Sequence, residues 1–176
     1  EAPGLHDDQP MAELIAAALG LSPSDIGFEN HRPATWTAGV PFVTVPVSGL
    51  DAAARAGLDA SAWLDIAPRV GSTVSYVYLY CRETVDHACG FHARMFAPHN
   101  GIPEDPATGA AAAAFAGQIM RYDEPVDGAY RVWIEQGVEM ARPSAIRLEI
   151  DVEHRRIGAA RIGGHAVQVA EGTLSV

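Results

Sequence analysis

Apolar positions along the chain follow two different periods, and the switches between them mark out its elements. Residues 73–82 (TVSYVYLYCR) alternate: Val74, Tyr76, Tyr78 and Tyr80 take one face, Val77 and Leu79 the other, which predicts a strand. Residues 89–96 read as its hairpin partner. With that hairpin centred near Val85, Cys81 and Cys89 lie opposite each other and a bridge comes within reach; otherwise two cysteines read as reduced thiols in a cytoplasmic protein. Residues 40–47 (VPFVTVPV) are rich in β-branched side chains and predict another strand, which the two prolines assign to a sheet edge or a bulge. Residues 28–36 read as extended. Period 3.6 governs residues 11–19, where Met11, Leu14, Ile15, Ala18 and Leu19 share a face, with Pro10 before the helix and Gly20 after it. Two shorter helices are expected at residues 51–56 and 61–67.

The second half contains one long helical pattern, residues 110–122, which is small or apolar on nearly every side. It predicts a helix buried all round. Four strands are expected after it, at residues 130–136, 145–153, 156–162 and 165–171, with Gly163-Gly164 as a tight turn between the last two. The fold class that follows is α+β: a curved, barrel-like antiparallel sheet around a central Ala-rich helix. A small curled sheet admits a helix only if the helix is thin, which explains the alanines. Residues 1–9 read as a connecting segment and residues 10–176 as one domain.

Composition narrows the chemistry. The chain has 176 residues, enough to bury roughly 70% of its unfolded surface without a disulfide or a structural metal. Arginine supplies all 12 basic residues, so there is no lysine for a Schiff base, a pyridoxal phosphate linkage or a phosphate-binding P-loop. A formal net charge of −10 opposes a nucleic-acid or anionic-membrane surface. No run of 18 apolar residues predicts a membrane span. The first residues are acidic and polar, unlike a signal peptide, and the chain reads as cytoplasmic.

Candidate chemistry concentrates in residues 94–110 (RMFAPHNGIPEDPATGA). A strand delivers Arg94 and Phe96, a Gly/Pro loop turns the chain, and Glu104 and Asp105 precede the buried helix. Pro106 suits a first helical turn and Asp105 an N-cap. Thr108 and Gly109 leave backbone amides open at the positive end of the helix dipole, an arrangement suited to a substrate carboxylate. From the residues alone, Asp105 caps the helix, orients a substrate or exchanges a proton.

That segment, as Arg-x-Phe-x-Pro-x-x-Gly-Ile-x-Glu-Asp-Pro-Ala-Thr-Gly, resembles the signature of PhzF-like isomerases, the phenazine-biosynthesis family, which share a fold with diaminopimelate epimerase. Glu135-Gln136-Gly137 with Ala141-Arg142-Pro143-Ser144, and Gly163-Gly164-His165-Ala166-Val167 ending in Glu171-Gly172-Thr173-Leu174, are similar to its later elements. The resemblance covers the chain but only the C-terminal half of the two-domain architecture. It lacks the other half's glutamate loop and Gly-His-Ala-Thr helix start. The resemblance implies a cofactor-independent isomerase or epimerase, without a metal, that moves a proton on a small carboxylate-bearing substrate. Asp105 matches the catalytic aspartate, and Gly101, Thr108, Gly109 and Ala110 match substrate-binding positions. Ala110 stands where serine is usual. The missing N-terminal half-domain or a second chain is expected as a partner, and the chain as a homo-oligomer.

Other readings compete with these. His87, Cys89 and His92 look metal-like, yet on a strand His92 faces away from the other two. They read as solvated or hydrogen-bonded side chains. Asp7-Asp8 and Asp123-Glu124 read as solvated loop charges, and the tyrosine stripe as sheet packing. A non-catalytic half-domain that binds a small acid or a partner is the alternative to an enzyme.

Overall fold

The computed structural model describes residues 2–6 and 9–174. Strand β1 (Gly4–His6), drawn from the expected connecting segment, pairs along β2 (Ala34–Thr37). Between them, α1 (Ala12–Leu19) buries Ile15, Ala16, Ala18 and Leu19 and stops at Gly20. The extended run expected over residues 28–36 is shorter than that, because Phe28 and His31 close a turn before β2 begins. Strand β3 (Pro41–Pro46) overturns the edge assignment: it lies between β2 and β6 and is buried along its whole length. Its prolines occupy the two ends, where a missing N–H costs the ladder least.

Helices α2 (Leu50–Arg55) and α3 (Ala60–Ile66) follow, then the small pair β4 (Arg69–Val70) and β5 (Thr73–Val74) and the long strand β6 (Tyr76–Cys81). β6 runs parallel to β3, and β9 (Gly128–Gln136) runs parallel to β7 (Phe91–Ala97). The sheet is therefore mixed rather than antiparallel. Parallel neighbours need a crossover connection, and the chain supplies one each time: α2 and α3 for the first pair, α4 (Gly109–Tyr122) for the second. Strand β8 (Ile102–Asp105) pairs with β7 alone, and β10 (Ser144–Glu153) and β11 (Arg156–Gly164) complete a sheet of nine strands among the described residues, apart from the β4–β5 pair. β2 and β11 lie far apart in the strand order, yet both pack on α4, so the sheet curls around that helix.

β6 shows how alternation becomes two cores. Tyr78 and Tyr80 point inward to α4, while Val77, Leu79 and Cys81 point outward beneath α1, α2 and α3 with Trp63. Inside, Phe115 of α4 meets Tyr80, Phe91 and Tyr78 edge-on at ring distances of 4.6, 5.0 and 5.7 Å. The tyrosine stripe is thus sheet packing. Gly117 lets the helix lie against Trp36: a Cβ there would fall 2.3 Å from the indole ring. The outer face of β9–β11 has no helix over it and carries exposed ion pairs, including Arg131–Glu149 at 3.2 Å.

Three local expectations fail. The hairpin does not centre so as to face the cysteines: β6 and β7 pair with Cys81 opposite His92, and Cys89 lies in the connecting loop; both cysteines are free, in line with the reading as thiols rather than a bridge. A shift in hairpin centre moved them apart. Gly163 and Gly164 are paired with Arg147 and Ile146 at the end of β11 rather than forming a turn, and residues 165–174 pair with no strand. The hairpin turn falls instead at His154-Arg155, both left-handed (φ 51° and 59°), whose amides donate to the Asp127 carboxylate at 2.9 Å each. That carboxylate offsets the strain of two non-glycine residues at positive φ. Asp123 is no solvated loop charge, since it is held by His31 at 3.0 Å and by Arg82. Asp7 and Asp8 lie outside the described residues. No helix among the described residues is long and apolar enough to cross a membrane.

Candidate active site

β7 and β8 deliver the chain to the start of α4. Met95 pairs with Asp105 and Ala97 with Ile102, with a bulge between that turns the loop. Helix α4 then begins four residues after Asp105: Thr108 is its N-cap residue and Gly109 its first helical residue. Asp105 therefore does not cap the helix, and Pro106 lies ahead of its first turn. One oxygen of the Asp105 carboxylate accepts a hydrogen bond from the Thr108 hydroxyl at 2.5 Å. The other has no hydrogen-bond partner among the described residues, so a half-buried carboxylate retains one free oxygen.

Gln136, fully buried at the end of β9, holds this loop in shape. Its side-chain amide donates to the Asp105 carbonyl at 2.6 Å and to the Thr108 hydroxyl at 3.0 Å, and its carbonyl accepts from the Thr108 amide at 3.2 Å. Gly137 follows at φ 78°, and a Cβ there would meet Arg142 O at 2.5 Å and Pro106 O at 2.8 Å. Only glycine lets the two loops approach this closely in that conformation.

Glu104, next to Asp105, points elsewhere. Both its oxygens take hydrogen bonds from Arg94 at 2.8 Å, and the same guanidinium donates to the carbonyls of Ala53 and Ala56. This buried pair ties β7, β8 and α2 together and leaves Asp105 as the available carboxylate. The first-turn amides of Gly109 and Ala110 have no acceptor among the described residues, as helix geometry requires, and both residues are exposed. Beside Gly109 opens a cleft of about 470 Å³, walled by Pro143, Ser144, Ile146, Ile162 and His165 among others.

Of the expected residues, Asp105 and Thr108 are joined by a hydrogen bond and Gly109 lines the cleft, while Asp105, Thr108 and Ala110 are not among its lining residues. Gly101 stands apart, in the turn after residues 98–100 at φ 77°, and does not line the cleft. Sequence reasoning missed the cleft wall at Ser144 and His165 and the structural use of Glu104, although the strand spacing of Arg94 and Glu104 was visible. His92 is buried between Glu135 and Glu139, and no group of three His, Cys, Asp or Glu residues among those described is placed to hold a metal.

With this geometry established, comparison with known proteins is decisive. Residues 1–172 match the phenazine biosynthesis-like protein family. The chain belongs to this family. It is 57% identical over 165 residues to an uncharacterized isomerase of Mesorhizobium japonicum, covering 93% of this chain and 55% of that protein. It is 35% identical over 82 residues to a trans-2,3-dihydro-3-hydroxyanthranilate isomerase of Pseudomonas aeruginosa, covering 47% of this chain and 29% of that one. Among solved structures, a Bacillus anthracis phenazine biosynthesis protein of the PhzF family has the same fold, with TM-score 0.79 at 22% identity over 94% of this chain and 58% of its own. A predicted epimerase of Pseudomonas aeruginosa superposes with TM-score 0.65 at 26% identity, over 97% of this chain and 57% of its own. The chain spans about half the length of the curated relatives it matches. Within the phenazine biosynthesis-like signature, Ala110 keeps its backbone amide and brings no hydroxyl to the helix start.

Proposed function

We propose that this chain supplies the Asp105 half of an isomerase site that moves a proton on a small carboxylate-bearing substrate, without cofactor or metal. The observation that carries the reading is an Asp105 carboxylate bonded to Thr108 through one oxygen only, in the loop that leads into the open helix start whose Gly109 lines a cleft. In this reading the helix-start amides hold the substrate carboxylate and stabilise negative charge as it develops. A base takes a proton from a substrate carbon, the electron pair delocalises into the substrate, and an acid returns a proton at another position or face. Asp105 orients the substrate or delivers one of these protons, and the opposing acid/base belongs to an N-terminal half-domain or a second chain. Exposed Val167, Val169 and Leu174 support a covering partner, either that half or a second copy of the chain.

The test follows exchange of substrate carbon-bound hydrogen in deuterated water by NMR, starting from trans-2,3-dihydro-3-hydroxyanthranilate and extending to other small acids. Exchange is expected when the chain is joined to its N-terminal half and absent from the 176 residues alone. Asp105→Asn in the joined protein should lower the rate about 10²- to 10⁴-fold, the usual contribution of a positioned acid or base. Full turnover by the 176 residues alone would sink the shared-site reading.

A further inference from the structure

Glu135, the residue before Gln136 on β9, bonds a buried histidine that the proposed chemistry does not use. His92, on β7, is fully buried. Its Nδ1 lies 2.7 Å from Glu135 and its Nε2 2.9 Å from Glu139. A ring with a carboxylate on each nitrogen is satisfied only when both nitrogens carry protons. The remaining groups around it are Cys81, paired opposite on β6, and Arg94, two residues along β7. Burial pushes the Cys81 thiol up to about 12, with Glu83 adding to the effect, so the thiol stays neutral. Burial works against a charged His92, yet the hydrogen bonds its ring donates to Glu139 and Glu135 outweigh it and hold its pKa above the ordinary histidine value.

The two carboxylates are not held alike. Glu135 also accepts from the amides of Val85 and Asp86 at 2.7 Å each. Glu139 has His92 and, at 3.8 Å, the Arg94 guanidinium. When the imidazole loses a proton, one nitrogen turns a lone pair toward a carboxylate, and the less anchored partner, Glu139, is the one released. Glu139 lies in the loop of residues 137–143, which touches Pro106 through Gly137 and leads into the cleft wall at Pro143 and Ser144.

We propose that Glu139, clamped by His92 and Arg94, is a positioning residue that fixes the 137–143 loop against Pro106 and thereby sets the place of the Asp105 carboxylate. Its relevance to catalysis rests on the isomerase reading above; the coupling itself does not. The test is NMR on the 176-residue chain, following the His92 ring, the Asp105 carboxyl carbon and the Thr108 amide against pH. Asp105 and Thr108 should each show a second inflection at the pH where His92 titrates. Glu139→Gln should abolish that inflection and leave the Trp36 indole N–H signal, at the far end of α4, in place. Glu139→Asp, one methylene shorter, should reduce the inflection and serves if the glutamine variant does not fold. Silence of Asp105 and Thr108 across the His92 titration in the unaltered chain would overturn the proposal, as would an undiminished inflection in either variant. Activity is not read here, so failure of the isomerase reading and failure of this one remain distinct.

Discussion

At the start of α4, fully buried Gln136 hydrogen-bonds the Asp105 carbonyl and Thr108; near its end, fully buried Gln118 accepts from the Trp36 indole at 2.8 Å and donates to the Tyr80 hydroxyl at 2.7 Å and the Arg32 carbonyl at 2.9 Å. The same residue type produces opposite results. Gln118 fastens an end that is closed: His31 bridges Tyr80 and Asp123 and stacks on Phe28 and Tyr122, and Asn30 caps the helix by donating to the Tyr122 carbonyl. Gln136 fastens a loop in which one Asp105 oxygen and the first helix amides take no hydrogen bond among the described residues, beside a cleft that Gly109 lines. Polar groups are spent on closure at one end and kept in reserve at the other. A buried glutamine is therefore no sign of function by itself, and the deciding feature is which groups around it remain unpaired.

The contrast can be broken most severely at Gly137. Gly137→Ala places a Cβ against two backbone oxygens at positive φ, and should cost about 3 kcal/mol through overpacking and strain. Denaturant unfolding should show the loss, with faster amide exchange at residues 105–110. At the closed end, Gln118→Ala leaves the buried Trp36 N–H without its acceptor and should cost about 2 kcal/mol. The amides at 105–110 should not respond; if they do, the two ends are coupled and the contrast fails.

On its alkaline side, pH should single out the site end. His92, held above its ordinary pKa of 6.5, contributes stability that is full below that value and lost as pH rises through the raised one. Burial raises the Asp123 carboxyl, but the His31 hydrogen bond and the Arg82 guanidinium outweigh it and hold its pKa below 3.8. Its contribution is present above 3.8 and lost as pH falls through the lowered value. Unfolding free energy measured across pH should thus decline on the alkaline side as His92 loses its proton; on the acid side it should decline through Asp123 and through Glu139, whose carboxyl burial raises but the His92 hydrogen bond and the Arg94 guanidinium hold below its ordinary value. A flat alkaline limb would mean that Glu135 and Glu139 do not retain the His92 proton. The smallest effect belongs to Arg155→Ala, which removes an exposed pair with Glu124 and should stay within about 0.5 kcal/mol in thermal unfolding.

Much of this was legible in the sequence. The alternation in residues 73–82, the Ala-rich helix and the convergence of Asp105, Thr108 and Gly109 follow from local periods and from a contiguous motif. Local spacing failed where pairing depends on distant chain. The prolines of β3 read as an edge because ladder hydrogen bonds were counted without knowing that they sit at the strand ends. Gly163-Gly164 read as a turn because a Gly-Gly pair is a local turn signal, whereas β10 is long enough to keep both paired, opposite Arg147 and Ile146.

By itself, the sequence determined which residues are small enough to fill the curled sheet, which face of each strand is apolar, and which segment carries the carboxylate and the helix start. These depend on side-chain size and on periods of two and 3.6, properties of neighbouring residues. Only the tertiary structure decided that Glu104 is consumed by Arg94 while Asp105 keeps a free oxygen, and that Glu139 meets the His92 ring. A carboxylate's role depends on which donors reach it, and those donors come from strands and loops that meet only when the sheet closes around the helix.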